Sequence, residues 1–144
     1  MKPLPHRYEA RLAGGPEGYA TVSAAGLPDL PTAPPVDFDG PGDAWSPEHL
    51  LMAAVEACFM MTLRAVMRAS KFAFISLEMS GEGTVDRKDS ATRFTAIVLR
   101  PRLTIAAGAD REKALKLMEK SEKACLISAS LAFSARLEPE VVFG

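Results

Sequence analysis

Hydrophobic residues recur at helical spacing in two parts of the chain, and each part contains one of the two cysteines. The first predicted helix begins with Ser46, which suits an N-cap, continues with Pro47 in its first turn, and ends near Ser70. Its predicted core-facing stripe contains Leu51, Ala54, Cys58, Met61 and Ala65. Cys58 is therefore predicted to project from the buried face of this helix.

The second predicted helix begins at Asp110, another residue that suits an N-cap. One face carries small and apolar residues at helical spacing, namely Ala114, Met118, Ser121 and Cys125. The opposite face is charged and is predicted to be solvated, with Glu112, Lys116, Glu119 and Lys123. If the two helices meet in the fold, their buried faces could bring Cys58 and Cys125 together for dithiol chemistry.

Alternating apolar and polar residues predict strands around these helices. Residues 7–24 predict two short strands joined by a turn at 14–18. Residues 72–86 and 92–105 predict a hairpin across the polar turn 86–90, with Ile75, Leu77 and Met79 on one face of the first strand and Phe94, Ala96 and Val98 on one face of the second. Pro101 indicates an edge position or a bulge. A closing strand is predicted over 131–137, with Val141 and Val142 extending it.

The order of these elements predicts an α+β fold with a mainly antiparallel sheet, because strands and helices do not alternate strictly. Residues 26–42 are rich in proline and glycine and are predicted to form a long loop without regular structure. At 144 residues the chain has the size of one domain, so we predict a single domain over 1–144.

Charge and composition narrow the function. The 17 basic and 18 acidic residues nearly cancel, which argues against nucleic-acid binding. We expect no membrane span, since no run of 18 or more apolar residues occurs, and no secretory signal, since residues 1–7 lack an apolar segment. A cytoplasmic location is expected, where thiols stay reduced. A cysteine pair there is more often catalytic, metal-binding or simply buried than a permanent disulfide.

A reactive Cys58 would need help to ionise, because burial raises the pKa of a thiol above its usual value of about 8.5. Cys58 lies three turns from the start of its helix, so the helix dipole contributes little. A cation or a hydrogen-bond network is needed instead. Glu48 lies ten residues earlier, about 15 Å along the helix, and could act only through a bridging group such as an arginine. The two histidines, His6 and His49, and the absence of a C-x-x-C motif argue against a metal site.

Three segments resemble the OsmC/Ohr family, the osmotically induced and organic-hydroperoxide-resistance proteins. Ser46–Glu48 with the following apolar run to Cys58 resembles the family's cysteine helix. Lys123–Cys125, before the closing strand, resembles the segment with the second cysteine, and the Gly14-Gly15 turn also fits. The resemblance covers about residues 7–142.

The resemblance implies an OsmC-like α+β fold, with a long central helix and a second helix, in intertwined homodimers with active sites at the subunit interface. It implies a thiol-dependent peroxidase in oxidative-stress defence, without a cofactor, that reduces organic hydroperoxides and, more slowly, hydrogen peroxide. Cys58 would attack the peroxide and become a sulfenic acid, and Cys125 would resolve it as a disulfide. An external dithiol would reduce that disulfide, and Glu48 would position an arginine beside the thiolate.

Two positions depart from the family's pattern. Pro16 stands where an arginine usually follows the Gly-Gly turn, although Arg7 or Arg11 could substitute for it. Leu126 stands where a proline usually follows the second cysteine. The missing arginine favours an alternative, a non-catalytic or weakly active OsmC-like protein that binds an apolar small molecule at the dimer interface.

Overall fold

The computed structural model describes residues 1–144. The chain divides into two compact units, Met1–Leu51 and Met52–Gly144, each described here by itself. The boundary falls inside helix α1, Pro47–Ala69. A single domain over 1–144 stays a prediction.

The first unit contains a three-stranded antiparallel sheet of β1 (Arg11–Ala13), β2 (Ala20–Ser23) and β3 (Leu30–Thr32). The two predicted strands are present, although β1 is short. The prediction of a structureless loop over 26–42 is wrong, because it contains β3 and a 3-10 helix, Val36–Phe38. Strand β3 was not predicted because Pro31 lies within it and proline normally interrupts a strand. An edge strand such as β3 tolerates proline.

Helix α1 begins as predicted, with the Ser46 Oγ accepting a hydrogen bond from the His49 amide at 3.1 Å. Its predicted core stripe is wrong: the buried residues are Val55, Phe59, Leu63 and Met67, whereas Met61 is 58% exposed. The helix is apolar on nearly every side, so periodicity does not fix which side faces the core. By length and composition it could also cross a membrane, a test that core helices of soluble proteins pass as well.

The predicted hairpin is present as β4 (Ser76–Lys88) and β5 (Ala91–Ile105), paired antiparallel. Its turn is shorter than predicted: only two residues, Asp89 and Ser90, lie between the strands, and both have positive φ (52° and 65°). That conformation matches the twist of a two-residue hairpin. Leu77 and Met79 are half-buried as predicted, whereas Ile75 precedes the strand and is exposed.

The prediction that Phe94, Ala96 and Val98 form the apolar face of β5 is wrong. The buried residues of this strand are Ile97, Leu99, Pro101, Leu103 and Ile105. A bulge opposite Thr84 and Val85 returns Phe94 to the core side. The edge position or bulge suggested by Pro101 is also wrong, since β5 lies inside the sheet and Pro101 pairs in register with Met79.

The remaining strands, β6 (Arg136–Leu137) and β7 (Glu140–Phe143), both pair parallel with β5. The predicted closing strand over 131–137 is therefore mostly wrong, since only its last two residues form a strand. Two parallel pairings make the sheet mixed, around an antiparallel hairpin. The α+β class is confirmed.

Helix α2 (Arg111–Ala124) is confirmed with its N-cap, since the Asp110 carboxylate accepts from the Lys113 amide at 2.9 Å. A four-residue helix, α3 (Leu126–Ala129), follows it. The predicted face of α2 is confirmed: Ala114, Met118, Ser121 and Cys125 are buried. Helices α1 and α2 meet in one hydrophobic cluster with β5 and β7 that includes Phe59, Leu63, Leu103, Met118 and Val141.

Candidate active site

The second unit brings the two cysteines together. Cys58 lies in the middle of α1 and is half-buried, whereas Cys125 is fully buried. The thiols are close enough that each shifts the pKa of the other. The site is thus a half-exposed thiol backed by a buried one, an arrangement suited to forming a disulfide.

A bend at Cys125 creates this arrangement. Its extended backbone (φ −66°, ψ 118°) ends α2 and starts α3, so the residue caps both helices. Its amide donates to the Glu122 carbonyl at 3.1 Å, and its carbonyl accepts from the Ala129 amide at 2.9 Å. The first amides of a helix have no partner within it. Those of Leu126 and Ile127 lie against the Cys58 thiol.

The pKa of Cys58 is lowered from its ordinary value. Desolvation by burial is the largest single influence and raises the pKa. It is outweighed by hydrogen bonds that favour the thiolate, from the Cys125 thiol, the Ile127 amide, the Thr62 hydroxyl and the Leu126 amide. No cation is among these groups, so a hydrogen-bond network lowers the pKa of Cys58.

The pKa of Cys125 moves the other way. Burial raises it most, and the hydrogen bond and the charge of the neighbouring Cys58 raise it further. The amide and the hydroxyl of Ser128 partly oppose this rise. Cys58 is therefore the more acidic and more accessible thiol, and Cys125 the one that stays protonated longer.

Glu48, the third predicted site residue, lies in the first unit, in the first turn of α1. Its Oε2 atom is buried without a hydrogen-bond partner. Its side chain lines a largely apolar cavity of about 640 Å³ together with Leu12, Ala20, Val22, Ala33, Phe38 and Leu50. Ten residues of helix, about 15 Å, separate it from Cys58, so the two side chains do not meet within α1.

The other candidates, Arg7, Arg11 and His49, also lie in the first unit. Arg7 and Arg11 are exposed in the first unit. The His49 Nδ1 lies 2.7 Å from the Ser46 Oγ at the start of α1, a helix-capping arrangement. No three or more His, Cys, Asp or Glu residues are grouped to hold a metal ion.

Two residues of the site were missed by the sequence reasoning. The Thr62 hydroxyl lies 4.0 Å from the Cys58 Sγ, one helical turn further along α1. The i,i+4 spacing could have identified it, because such residues are neighbours on a helix. Ser128 had no comparable signal, since its place depends on the bend at Cys125.

Comparisons with known proteins agree with this fold. The family model described as OsmC-like protein matches residues 40–140. YmaD, an uncharacterised protein of Bacillus subtilis, is 30% identical over 109 residues, which cover 74% of this chain and 73% of YmaD.

Solved structures give the same result for the fold. An organic hydroperoxide resistance protein from Legionella pneumophila has a TM-score of 0.76 at 23% identity, with 96% of this chain and 98% of that chain covered. An OsmC-like protein of unknown function from Vibrio cholerae has a TM-score of 0.86 at 14% identity, covering 94% and 99%. At these identities the likeness establishes the fold alone. With the family match over residues 40–140, it leads to one conclusion: the chain belongs to the OsmC-like protein family.

Proposed function

We propose that the protein is a thiol-dependent peroxidase that reduces organic hydroperoxides in oxidative-stress defence. The observation that carries this proposal is the asymmetry of the two neighbouring thiols, a more acidic, half-exposed Cys58 beside a less acidic, buried Cys125. Peroxidatic attack needs a thiolate with access to substrate, and resolution needs a second thiol within reach.

The proposed cycle has three steps. The Cys58 thiolate attacks the terminal peroxide oxygen, an S–O bond forms as the O–O bond breaks, and the departing alkoxide takes a proton from water to leave as the alcohol. Cys125 then attacks the sulfur of the Cys58 sulfenic acid, an S–S bond forms, and water leaves. An external dithiol exchanges with the disulfide, becomes oxidised and restores both thiols.

The family supports this chemistry without establishing it. Several structural neighbours are described as organic hydroperoxide resistance proteins, among them one from Elizabethkingia anophelis and OhrB of Bacillus subtilis. Sequence identities of 21% and 20% establish a shared fold and not a shared activity. The chemistry therefore rests on the thiol pair.

We also propose that the protein works as a homodimer. The side of α1 away from the core leaves small and apolar residues exposed, including Ala54, Ala57, Met61 and Ala65. An exposed apolar face of this kind is typical of an interface. A second copy would also give Glu48 a role, because Glu48 lies too far along α1 to touch Cys58 of its own chain and could hold a cation at a thiolate of the second copy. A cytoplasmic location, where dithiol reductants keep thiols reduced, fits this cycle.

A second candidate is a binding protein without catalysis, favoured by the apolar cavity of the first unit and by Pro16 in place of the expected arginine. Its cysteines would be inert or sensory. The two candidates differ in the pKa of Cys58, which lies below about 8.5 for a peroxidase and above it for an inert buried thiol.

The proposal is tested by following consumption of cumene hydroperoxide with dithiothreitol as the dithiol. We expect turnover by the wild-type protein and none by Cys58→Ser. Without dithiothreitol, Cys125→Ser should still consume one equivalent of peroxide, because the first step needs only Cys58. Unchanged turnover by Cys58→Ser would remove the catalytic assignment.

A further inference from the structure

Ser128 has a buried hydroxyl that lacks a partner. The residue is 7% exposed, and its Oγ makes no hydrogen bond. Leaving such a group unsatisfied lowers the free energy of unfolding. Nearby serines avoid this cost by donating to the carbonyl one turn earlier, Ser121 to Leu117 at 2.7 Å and Ser130 to Leu126 at 2.9 Å.

The position of Ser128 relates it to Cys125. Cys125 is the N-cap of α3, and Ser128 is the third residue of that helix. An N-cap side chain normally accepts a hydrogen bond from the amide at this position. Here no cap hydrogen bond is fully formed, yet both the amide and the hydroxyl of Ser128 lie close enough to Cys125 to favour its thiolate.

A thiol is a weak hydrogen-bond acceptor, whereas a thiolate is charged and accepts strongly. Two donors that are loosely placed around the thiol would therefore engage when Cys125 ionises. The other titratable group facing Cys125 is Cys58 on α1, and no charged side chain from α2, α3 or the sheet shifts its pKa.

We propose that Ser128 is a positioning residue for the resolving step, whose hydroxyl and amide stabilise the thiolate that Cys125 forms as it attacks the Cys58 sulfenic acid. This inference rests on the proposed peroxidase function. In that step the S–S bond forms as the S–O bond breaks, and the proton of Cys125 ends on the departing oxygen as water.

The inference separates the two halves of the cycle. Ser128 is not among the groups that shift the pKa of Cys58. Its loss should slow disulfide formation and leave sulfenic acid formation unchanged. A merely structural role would affect both steps or neither.

The test mixes reduced protein with one equivalent of cumene hydroperoxide and traps the sulfenic acid with dimedone over time, with quantification by mass spectrometry. For Ser128→Ala we expect an unchanged rate of Cys58 oxidation and an accumulating dimedone adduct. Disulfide formation should be roughly tenfold slower, which is the factor expected for the loss of one hydrogen bond to a charged group. The pH profile of disulfide formation should move to higher pH. Ser128→Thr should restore the rate, and Ser130→Ala should behave as wild type. A wild-type rate and pH profile in Ser128→Ala would overturn the inference.

A second measurement does not depend on peroxidase activity. In the Cys58→Ala background Cys125 is the only thiol, so ultraviolet absorbance of the thiolate reports its pKa. Adding Ser128→Ala should raise that pKa by about one unit, equivalent to one hydrogen bond, and Ser128→Thr should not. An equal pKa with and without the hydroxyl overturns the inference. Absence of any oxidation in the wild-type protein overturns the proposed function instead.

Discussion

Replacing Cys125 by alanine or by serine should change the acidity of Cys58 differently. The Cys125 thiol is the largest of the groups that lower the pKa of Cys58. Alanine removes this donor, whereas serine keeps a donor of similar size with a stronger hydroxyl. Both variants contain Cys58 as their only thiol, so the pKa can be assigned without ambiguity.

The size of the effect follows from one hydrogen bond to a charged group, worth about 1.5–3 kcal/mol. A thiol is a weak donor, so we take the lower end, which corresponds to about one pKa unit. Cys125→Ala should therefore raise the pKa of Cys58 by about one unit relative to Cys125→Ser. Wherever the pKa exceeds the working pH, one unit means roughly tenfold less thiolate and roughly tenfold slower alkylation.

The assay is the rate of iodoacetamide alkylation of Cys58 as a function of pH, with thermal unfolding confirming that both variants fold. The midpoint pH of alkylation should be lower for Cys125→Ser than for Cys125→Ala. If the two midpoints coincide, Cys125 does not act as a donor, and the pKa of Cys58 is lowered by the amides of α3 and Thr62 alone.

Three further predictions concern stability and assembly. Burial raises the pKa of Glu56 in the folded state, so the charged carboxylate destabilises the fold at pH values above the raised pKa. Glu56→Gln should therefore raise the melting temperature at pH 7. This gain should vanish below pH 4.5, the ordinary pKa of the group, where Glu56 is protonated in both states. Gly83→Ala would place a Cβ 2.6 Å from the Phe94 ring and should cost about 1–3 kcal/mol in denaturant unfolding. Gly15→Ala, whose nearest contact is at 4.0 Å, should cost much less. Met61→Lys, on the exposed side of α1, should shift the proposed homodimer to monomer in light scattering; a dimeric mass in both proteins would place the interface elsewhere.

The two helices differ in how far the sequence predicts them. Helix α2 has a charged face opposite an apolar one, so the contrast fixed its orientation and placed Cys125 in the core. Helix α1 lacks that contrast, and its stripe was assigned one residue out of phase, around Cys58 instead of Phe59. In the structure Cys58 lies at the border of the core face and is half-buried.

The strands show the limits of local patterns. The hairpin was predictable from its length and polar turn, but the buried side of β5 was not, because the bulge beside Val85 reverses the alternation. Strand β3 was missed because Pro31 lies within it, whereas the parallel pairings of β6 and β7 with β5 depend on contacts distant in sequence.

For the site, the cysteine pair could be proposed from the sequence because each thiol belongs to a helical pattern. The sequence left open whether a cation or a hydrogen-bond network lowers the pKa of Cys58, and it could not name the donors. The resemblance suggested an arginine held by Glu48, whereas within this chain the amides of Leu126 and Ile127 take part through the bend at Cys125. A bend between two helices is a tertiary feature that residue spacing does not encode.

Peptide mapping of the protein after one equivalent of cumene hydroperoxide tests the proposed thiol chemistry most directly. We expect an intramolecular disulfide between Cys58 and Cys125 as the main product, reversed by a dithiol. Free thiols, or sulfinic and sulfonic acid at Cys58 without that cross-link, would contradict it.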